Sequence, residues 1–327
     1  MGLEIIQIDK DKSYQEWLNF RENGLGASEI GTLMGVNSFK SAAELYYQKI
    51  GAFPQKQVQN MPMFMGTILE QTVANIFEYW EEDEATMISN HSQGKKVRTL
   101  YEPIGYIVNE KYPHLFFSPD RLQICASNLR IRNGHLNLNN VEAIIEIKTI
   151  SGWASKQWQG GLPPSYYLQL QTYLMGLGVE YGYIVALEDG RTIKVHKFER
   201  DEEIIASIET VTAQFWERVL LGREYMAKGE DYDQFAPDPD GTEAYAEFLN
   251  EKFANPEENT IRSNEDIDEW IALYKERSSQ ITNLDDERRE AANFIKSHMG
   301  NNVILESNVA KVTWRPNAKG TRIFRIV

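Results

Sequence analysis

The sequence predicts a mixed α/β protein in which helices flank a central β-sheet and a long helix and a closing β-hairpin follow. Three observations carry this. Val141-Glu142-Ala143-Ile144-Ile145-Glu146-Ile147-Lys148 is short and dense in Ile and Val, as a strand in the middle of a sheet is. Helical and strand-like apolar patterns alternate between residues 14 and 228. A helix capped by Ser263 or Asn264 then runs to Met299-Gly300, and basic residues 303–327 alternate like a hairpin.

A chain of 327 residues allows one large domain or two ordinary ones, and we place a core at 1–235 and an extension at 236–327. With 42% hydrophobic and 25% charged residues the composition is that of a soluble globular protein, and 7 Trp and 16 Tyr supply a core. No run of 18 apolar residues occurs, and Met1-Gly2-Leu3-Glu4 lacks a signal-like start, so a cytoplasmic protein is expected. The single cysteine, Cys125, excludes an internal disulfide, a four-cysteine zinc site and an iron–sulfur cluster held by this chain's own thiolates; its strand context suggests a core position. A net charge of −14 disfavours nucleic acid as a partner. Its distribution softens that, because residues 1–235 and 236–300 each carry −9 while 301–327 carry +4.

The elements follow in order. Ser13-Tyr14-Gln15-Glu16 has the capping-box form and opens a short helix with Trp17, Phe20 and Arg21, ending near Asn23-Gly24. Ser28, in Gly26-Ala27-Ser28-Glu29-Ile30, is placed to cap a helix carrying Ile30, Leu33 and Met34. Plain capping explains it, yet a helix N-terminus with a free hydroxyl also suits a phosphate, with Arg21 supplying a cation. Ser41 to Glu44 is a second capping box, for a helix stopping at Gly51. A long helix runs from Met63 to about Glu82, and Glu70 shares a side with Gly66, Val73 and Phe77. A carboxylate there needs a partner or a path to water. The run Glu81-Glu82-Asp83-Glu84 reads as a solvated helix end.

Residues 97–108 read as strand broken near Pro103, and 115–125 as two strand pieces joined at Pro119, with Asp120 on the kink. Residues 126–140 look like a hairpin tip around Asn133-Gly134. After the central strand a Gly-rich loop holds Trp153 and Trp158, and Pro163-Pro164-Ser165 opens a helix through Met175 that half-buries Gln169 among tyrosines. Strands at 181–187 and 192–198 meet through Asp189-Gly190. Asp201 caps a long helix to about Lys228, and a short helix covers 242–253.

Strand alternation puts Glu142, Ile144, Glu146 and Lys148 on one side of the central strand. A solvated edge strand accounts for those charges; so does a metal-facing site. A helix offering Glu70, a kink offering Asp120 and a strand offering Glu146 and Lys148 form the set expected for metal-dependent phosphodiester cleavage. Hard carboxylate oxygens suit Mg²⁺ or Mn²⁺, and a nearby lysine steadies an attacking water and developing phosphate charge. An Asp–Glu-x-Lys match alone is a weak pattern.

The longer context is specific. Trp17-Leu-Asn-Phe-Arg21 with Gly26-Ala-Ser28, then Gly66-Thr-Ile-Leu-Glu70, Ser118-Pro-Asp120, Glu146-Ile-Lys148 and Tyr167-Leu-Gln169-Leu-Gln171 occur in this order. Together they resemble the lambda-exonuclease/YqaJ family of phage recombination nucleases, in the PD-(D/E)xK superfamily, over roughly residues 13–200. The resemblance implies a restriction-endonuclease-like core with a mixed sheet. It implies Asp120, Glu146 and the Ile147 carbonyl as metal ligands, with Glu70 direct or through water. Lys148 would be the catalytic lysine and Gln169 its support. Arg21, Ser28 and Ser118, with Trp17 beside them, would hold the 5′-phosphate of a DNA end. Also implied are Mg²⁺ (or Mn²⁺), 5′-to-3′ digestion of one strand of duplex DNA, a homo-oligomer with a ring-shaped trimer as one form, and a single-strand annealing partner of the RecT or Bet kind. The insert at 126–140 and the tail beyond about 240 depart from the short lambda enzyme. An endonuclease on the same core and a non-catalytic DNA-end-binding or assembly protein are the alternatives; the complete carboxylate–lysine set speaks against the latter.

Overall fold

Val141–Ile150 is the central strand of a five-stranded sheet, in the order Thr192–Glu199, Tyr181–Glu188, Val141–Ile150, Arg121–Ile124, Leu100–Tyr101. It runs parallel to Tyr181–Glu188 and antiparallel to Arg121–Ile124, so the sheet is mixed. The computed structural model describes residues 2–8, 14–54, 60–125, 131–132, 135–136, 138–152 and 162–327. The expected cap at Ser13 and the loop residues Trp153 and Trp158 lie outside them.

Both faces of the sheet are covered, which explains the near-continuous apolar run of its central strand. On one face Ile145 and Ile147 pack with Val73, Ala74 and Phe77 of the helix Met61–Phe77. On the other, Ile144 and Ile184 share a core with Leu170 and Leu174 of the helix Pro164–Leu177. That second helix is the crossover which the parallel strand pair requires. Ile144, Ile145, Phe77 and Leu170 are fully buried, each stabilising by about 1.5–3 kcal/mol. A four-stranded sheet, Leu3–Ile6, Tyr106–Asn109, Leu115–Phe117 and Leu25–Gly26, lies beside it in sequence, and Leu25–Gly26 runs parallel to Leu115–Phe116.

Most expected elements are present, with their caps. Ser41 accepts from the Ala43 N–H at 3.1 Å and opens Ala42–Ile50; Asp201 accepts from the Ile204 N–H and opens Glu202–Lys228. Asp189 and Gly190 turn the hairpin with φ of 48° and 67°. Ile131–Arg132 pairs antiparallel with His135–Leu136; Asn133 and Gly134 between them lie outside the described residues. Cys125 is half-buried rather than a full core residue.

Three expectations are corrected. The helix bearing Glu70 starts at Met61 and ends at Phe77, not near Glu82. Tyr79 and Trp80 close its last turn onto the Ile76 and Phe77 carbonyls, and the returning chain takes the next one, the Val97 and Arg98 N–H groups donating to the Glu78 oxygen at 2.9 and 3.1 Å. Asp83, in the acidic run, caps a separate helix Glu84–Ser92 by accepting from the Thr86 N–H at 2.8 Å. Ser28 caps nothing: it is exposed inside a single 3₁₀ turn, Ala27–Glu29, leading into the short helix Ile30–Leu33.

The chain divides into two compact units, Met1–Ala254 and Asn255–Val327. The first reaches past residue 235 because the helix Glu243–Lys252 buries Tyr245 and Phe248, Phe248 stacking on Tyr47 at 5.2 Å. The second holds the helix Glu265–Met299, capped by Asn264, and three antiparallel strands, Ile304–Glu306, Lys311–Pro316 and Arg322–Ile326. The extra strand beyond the expected hairpin arises because Ser307 turns the chain, its hydroxyl accepting from the Ala310 N–H at 3.1 Å.

Candidate active site

Antiparallel pairing sets Arg121 opposite Ile145. One residue earlier, Asp120 therefore falls across from Glu146, at the point where the chain enters the strand. The kink expected at Pro119 and the even spacing of Glu146 and Lys148 thus meet on one face of the sheet, the face covered by the helix Pro164–Leu177. Glu146 is 2% exposed. Its Oε1 accepts from Lys148 Nζ at 2.5 Å and from Gln169 Nε2 at 2.7 Å, while its Oε2 is buried without a hydrogen-bond partner. Gln169 also faces Lys148 at 3.3 Å and Tyr173 Oη at 3.1 Å. Tyr173 donates to the Ser118 carbonyl at 2.9 Å, tying the Asp120 kink to the same helix. Asp120 accepts from the Ile147 N–H at 2.6 Å.

The electrostatics follow from burial. Burial, then the nearby Glu146 charge, pushes the Asp120 carboxyl well above the usual carboxylate range. Burial also raises Glu146, against the pull of Lys148 and Gln169. The Lys148 ammonium, which burial disfavours, is held above its ordinary value by Glu146 and Asp120. Burial and both carboxylates keep the Tyr173 hydroxyl neutral. The site therefore carries more negative charge than one lysine balances comfortably. A solvated edge strand does not account for it.

Glu70 has found a partner that the sequence did not announce. Its Oε1 pairs with Arg121 Nη1 at 2.7 Å, and the same nitrogen donates to the Asp120 carbonyl. Arg121 Nη2 donates to Gln71 Oε1 at 2.8 Å and lies 3.4 Å from Glu102. Glu70 is close enough to Asp120 and Glu146 for its charge to raise both.

The other candidates gather at the neighbouring edge. Gly26 pairs in parallel with Phe116, so the two chains continue to Ser28 and Ser118 at the same end of the pair. Gly31 lets that turn approach the helix Pro164–Leu177: a Cβ there would meet the Ser165 Cβ at 3.0 Å. Arg21 lies over the Trp17 ring at 4.9 Å, is 3.2 Å from Glu29 Oε1, and lies near Tyr173. Its Nε is buried without a hydrogen-bond partner. Glu29, 4% exposed, also accepts from the Gly26 N–H at 2.9 Å and pairs with buried Lys49 at 3.0 Å. Two cations against one carboxylate leave this buried cluster one positive charge in excess. Neither Glu29 nor Lys49 was singled out in the sequence; only their long-range pairing reveals them.

One unmatched acceptor, Glu146 Oε2, and one unmatched donor, Arg21 Nε, define what the site can take. Among the described residues no three His, Cys, Asp or Glu side chains converge to enclose a metal. Asp120 and Glu146 nevertheless fit a hard divalent cation. Glu146 Oε2 lacks a partner, excess negative charge is buried, and Mg²⁺ is commonly held by one or two carboxylates with waters completing its shell.

Fold and site define an α/β protein with buried Glu146 flanked by half-buried Asp120 and Lys148 at the centre of a mixed sheet. Residues 16–179 match the YqaJ-like viral recombinase domain, and the chain belongs to that family. The uncharacterized protein YqaJ of Bacillus subtilis (strain 168) is 29% identical over 304 residues, spanning 90% of this chain and 81% of that one. Among solved structures, an alkaline exonuclease from Laribacter hongkongensis superposes with a TM-score of 0.48 at 22% identity, covering 66% of this chain and 97% of its own. A phage-related exonuclease from Haemophilus somnus 129PT gives 0.40 at 12% identity, covering 65% and 99%. No helix among the described residues is long and apolar enough to cross a membrane.

Proposed function

We propose that this chain is a Mg²⁺-dependent double-strand DNA exonuclease that digests 5′-to-3′ and leaves 3′ single strands for recombination by annealing. One observation carries the reading: Asp120 and Glu146 lie side by side at the buried sheet centre, with Lys148 bound to Glu146, in a member of a viral recombinase family. Asp120, Glu146 and the Ile147 carbonyl would hold the cation, with Glu70 at its edge. Mg²⁺, or Mn²⁺ in its place, supplies polarisation of the phosphate and a more acidic water.

The chain's own groups do the rest. Lys148 stays charged, orients a water by hydrogen bonding and offsets charge developing on the phosphate. Gln169 holds Glu146 and Lys148 in register from the helix side. Arg21, with its unpaired Nε and the cluster's excess positive charge, takes the 5′-phosphate; Ser28 and Ser118 donate hydroxyls, and Trp17 backs the guanidinium. A homo-oligomer, a ring-shaped trimer included, and an annealing protein of the RecT or Bet kind complete the proposal.

The test is end-labelled linear duplex, with and without a 5′-phosphate, in Mg²⁺ and in EDTA. Release of the 5′ label as mononucleotide, faster with the phosphate and absent in EDTA, is expected. Cutting of covalently closed circles would instead identify an endonuclease, and undigested ends a binding protein.

A further inference from the structure

Arg121 is a cation buried to 4% exposure beside a site that already needs positive charge, and the proposed chemistry does not use it. Its four contacts are not those of a surface arginine. Nη1 serves Glu70 Oε1 and the Asp120 carbonyl at once; Nη2 serves Gln71 on the same helix and reaches toward Glu102. One guanidinium therefore joins the helix Met61–Phe77 to the kink carrying Asp120, across the sheet face opposite Glu146. Glu70, 31% exposed in its side chain, is gripped by one oxygen only.

We propose that Arg121 is a positioning residue for the divalent cation: it locks Glu70 and the Asp120 backbone at a set separation while engaging only one of Glu70's two oxygens. The alternative role of a fork is competition, the guanidinium standing where a cation would otherwise sit. The bonding favours positioning. Arg121 lies in register with Ile145, on the far face from the Asp120–Glu146 pair, and contacts only the Asp120 main chain there. A planar fork can span helix and kink together, which the single ammonium of a lysine cannot. Partners that orient metal-binding carboxylates are typically worth 10–100-fold in metal affinity.

This rests on the proposed metal site, so the test reads metal binding directly. Mn²⁺ titration of the full-length protein, followed by calorimetry or by the electron paramagnetic resonance of free Mn²⁺, is compared for wild type, Arg121→Gln, Arg121→Lys, Glu70→Gln and the Arg121→Gln/Glu70→Gln pair. Arg121→Gln is expected to weaken binding 10–100-fold, Arg121→Lys to weaken it less, and the pair to bind no worse than Glu70→Gln alone, because both changes remove one interaction. Binding that is unchanged or tighter in Arg121→Gln, or losses that add in the pair, overturn the inference while leaving the metal site intact. A wild-type chain that binds no Mn²⁺ overturns the metal site itself. Should Arg121→Gln fail to fold, Arg121→Lys carries the decision: wild-type affinity in a folded Arg121→Lys is the contrary result.

Discussion

At the scale of the residue, the central site combines stability cost with chemical use. The charged form of the half-buried Asp120 is opposed by desolvation and then by the Glu146 charge. Asn in its place keeps an acceptor for the Ile147 N–H and removes the repulsion. Asp120→Asn is therefore expected to abolish digestion yet raise the melting temperature of the metal-free protein; a gain of 1 kcal/mol corresponds to about 2–4 °C in a protein of this size or somewhat smaller. A fall in melting temperature would show that Asp120 serves the fold. Lys148→Ala and Glu146→Ala should each reduce digestion of linear duplex by at least about 10²–10³-fold, with the far-ultraviolet circular dichroism spectrum retained. Undiminished digestion in both would remove them from the chemistry. Glu29 works the other way. Burial alone would raise its carboxyl, but Lys49 and Arg21 outweigh it and hold it at about 2. A carboxyl lowered on folding stabilises above its unfolded pKa of about 4.5 and loses that contribution as pH falls toward 2. With Glu29 buried, the difference amounts to about 3 kcal/mol. Urea melts of wild type and Glu29→Gln should thus differ by that order at pH 7 and converge near pH 2, and a constant gap across the range would contradict the ion-pair account.

At the scale of the element, the helix Pro164–Leu177 is the template on which the site is assembled, since it presents Gln169 to Glu146 and Tyr173 to Ser118. Its distance from the neighbouring strand is set by Gly176, where a Cβ would lie 2.2 Å from the Phe117 ring, and by Asn109, which donates to the Gly176 carbonyl at 2.7 Å. Gly176→Ala should therefore cost about 1–3 kcal/mol through overpacking, despite the better helix propensity of alanine. Because the displaced helix carries Gln169, duplex digestion should fall as well; a variant melting like wild type would mean Phe117 yields freely. Elements of this kind were legible wherever a local signal dictates them. Ser41, Asp201 and Asn264 cap as their side chains require, and alternation alone placed Glu146 beside Lys148. What was not legible depends on partners far along the chain. Asp120 gains meaning from its register with Glu146, Arg121 looks like any strand-end arginine until it meets Glu70, and the acidic run from Glu81 to Glu84, solvated as expected, starts a new helix at Asp83 instead of ending the previous one. Ser28 shows the limit from the other side, a plausible cap by composition that the chain places mid-turn.

At the scale of the whole molecule, every residue assigned to the site lies within Met1–Ala254, and the two compact units have different characters. The long helix of the second exposes large apolar groups, among them Trp270, Tyr274, Ile281 and Leu284 at 63–76%. An isolated helix with such a seam draws little stability from burial, and most of its order comes from local capping, i to i+3 pairs such as Arg289 with Asp286 at 2.8 Å, and its terminal sheet. The first unit closes a core of its own: its aromatic clusters join Tyr47 and Phe53 to Phe248 before residue 254. A chain ending after Ala254 is accordingly expected to unfold cooperatively in urea, and to retain Mn²⁺ affinity within about threefold of the full chain, less than the factor of ten that 1.4 kcal/mol represents. If the site were instead organised by residues 255–327, the shortened chain would lose metal affinity along with cooperativity, and the measurement to make is Mn²⁺ titration beside the urea melt on the same preparation. Activity on duplex ends is the separate question. Residues 301–327 carry five cations against one carboxylate in a chain of net charge −14, so if they touch the DNA backbone their loss should lower affinity for duplex ends most at low salt and flatten its salt dependence, and an unchanged salt slope would exclude that contact.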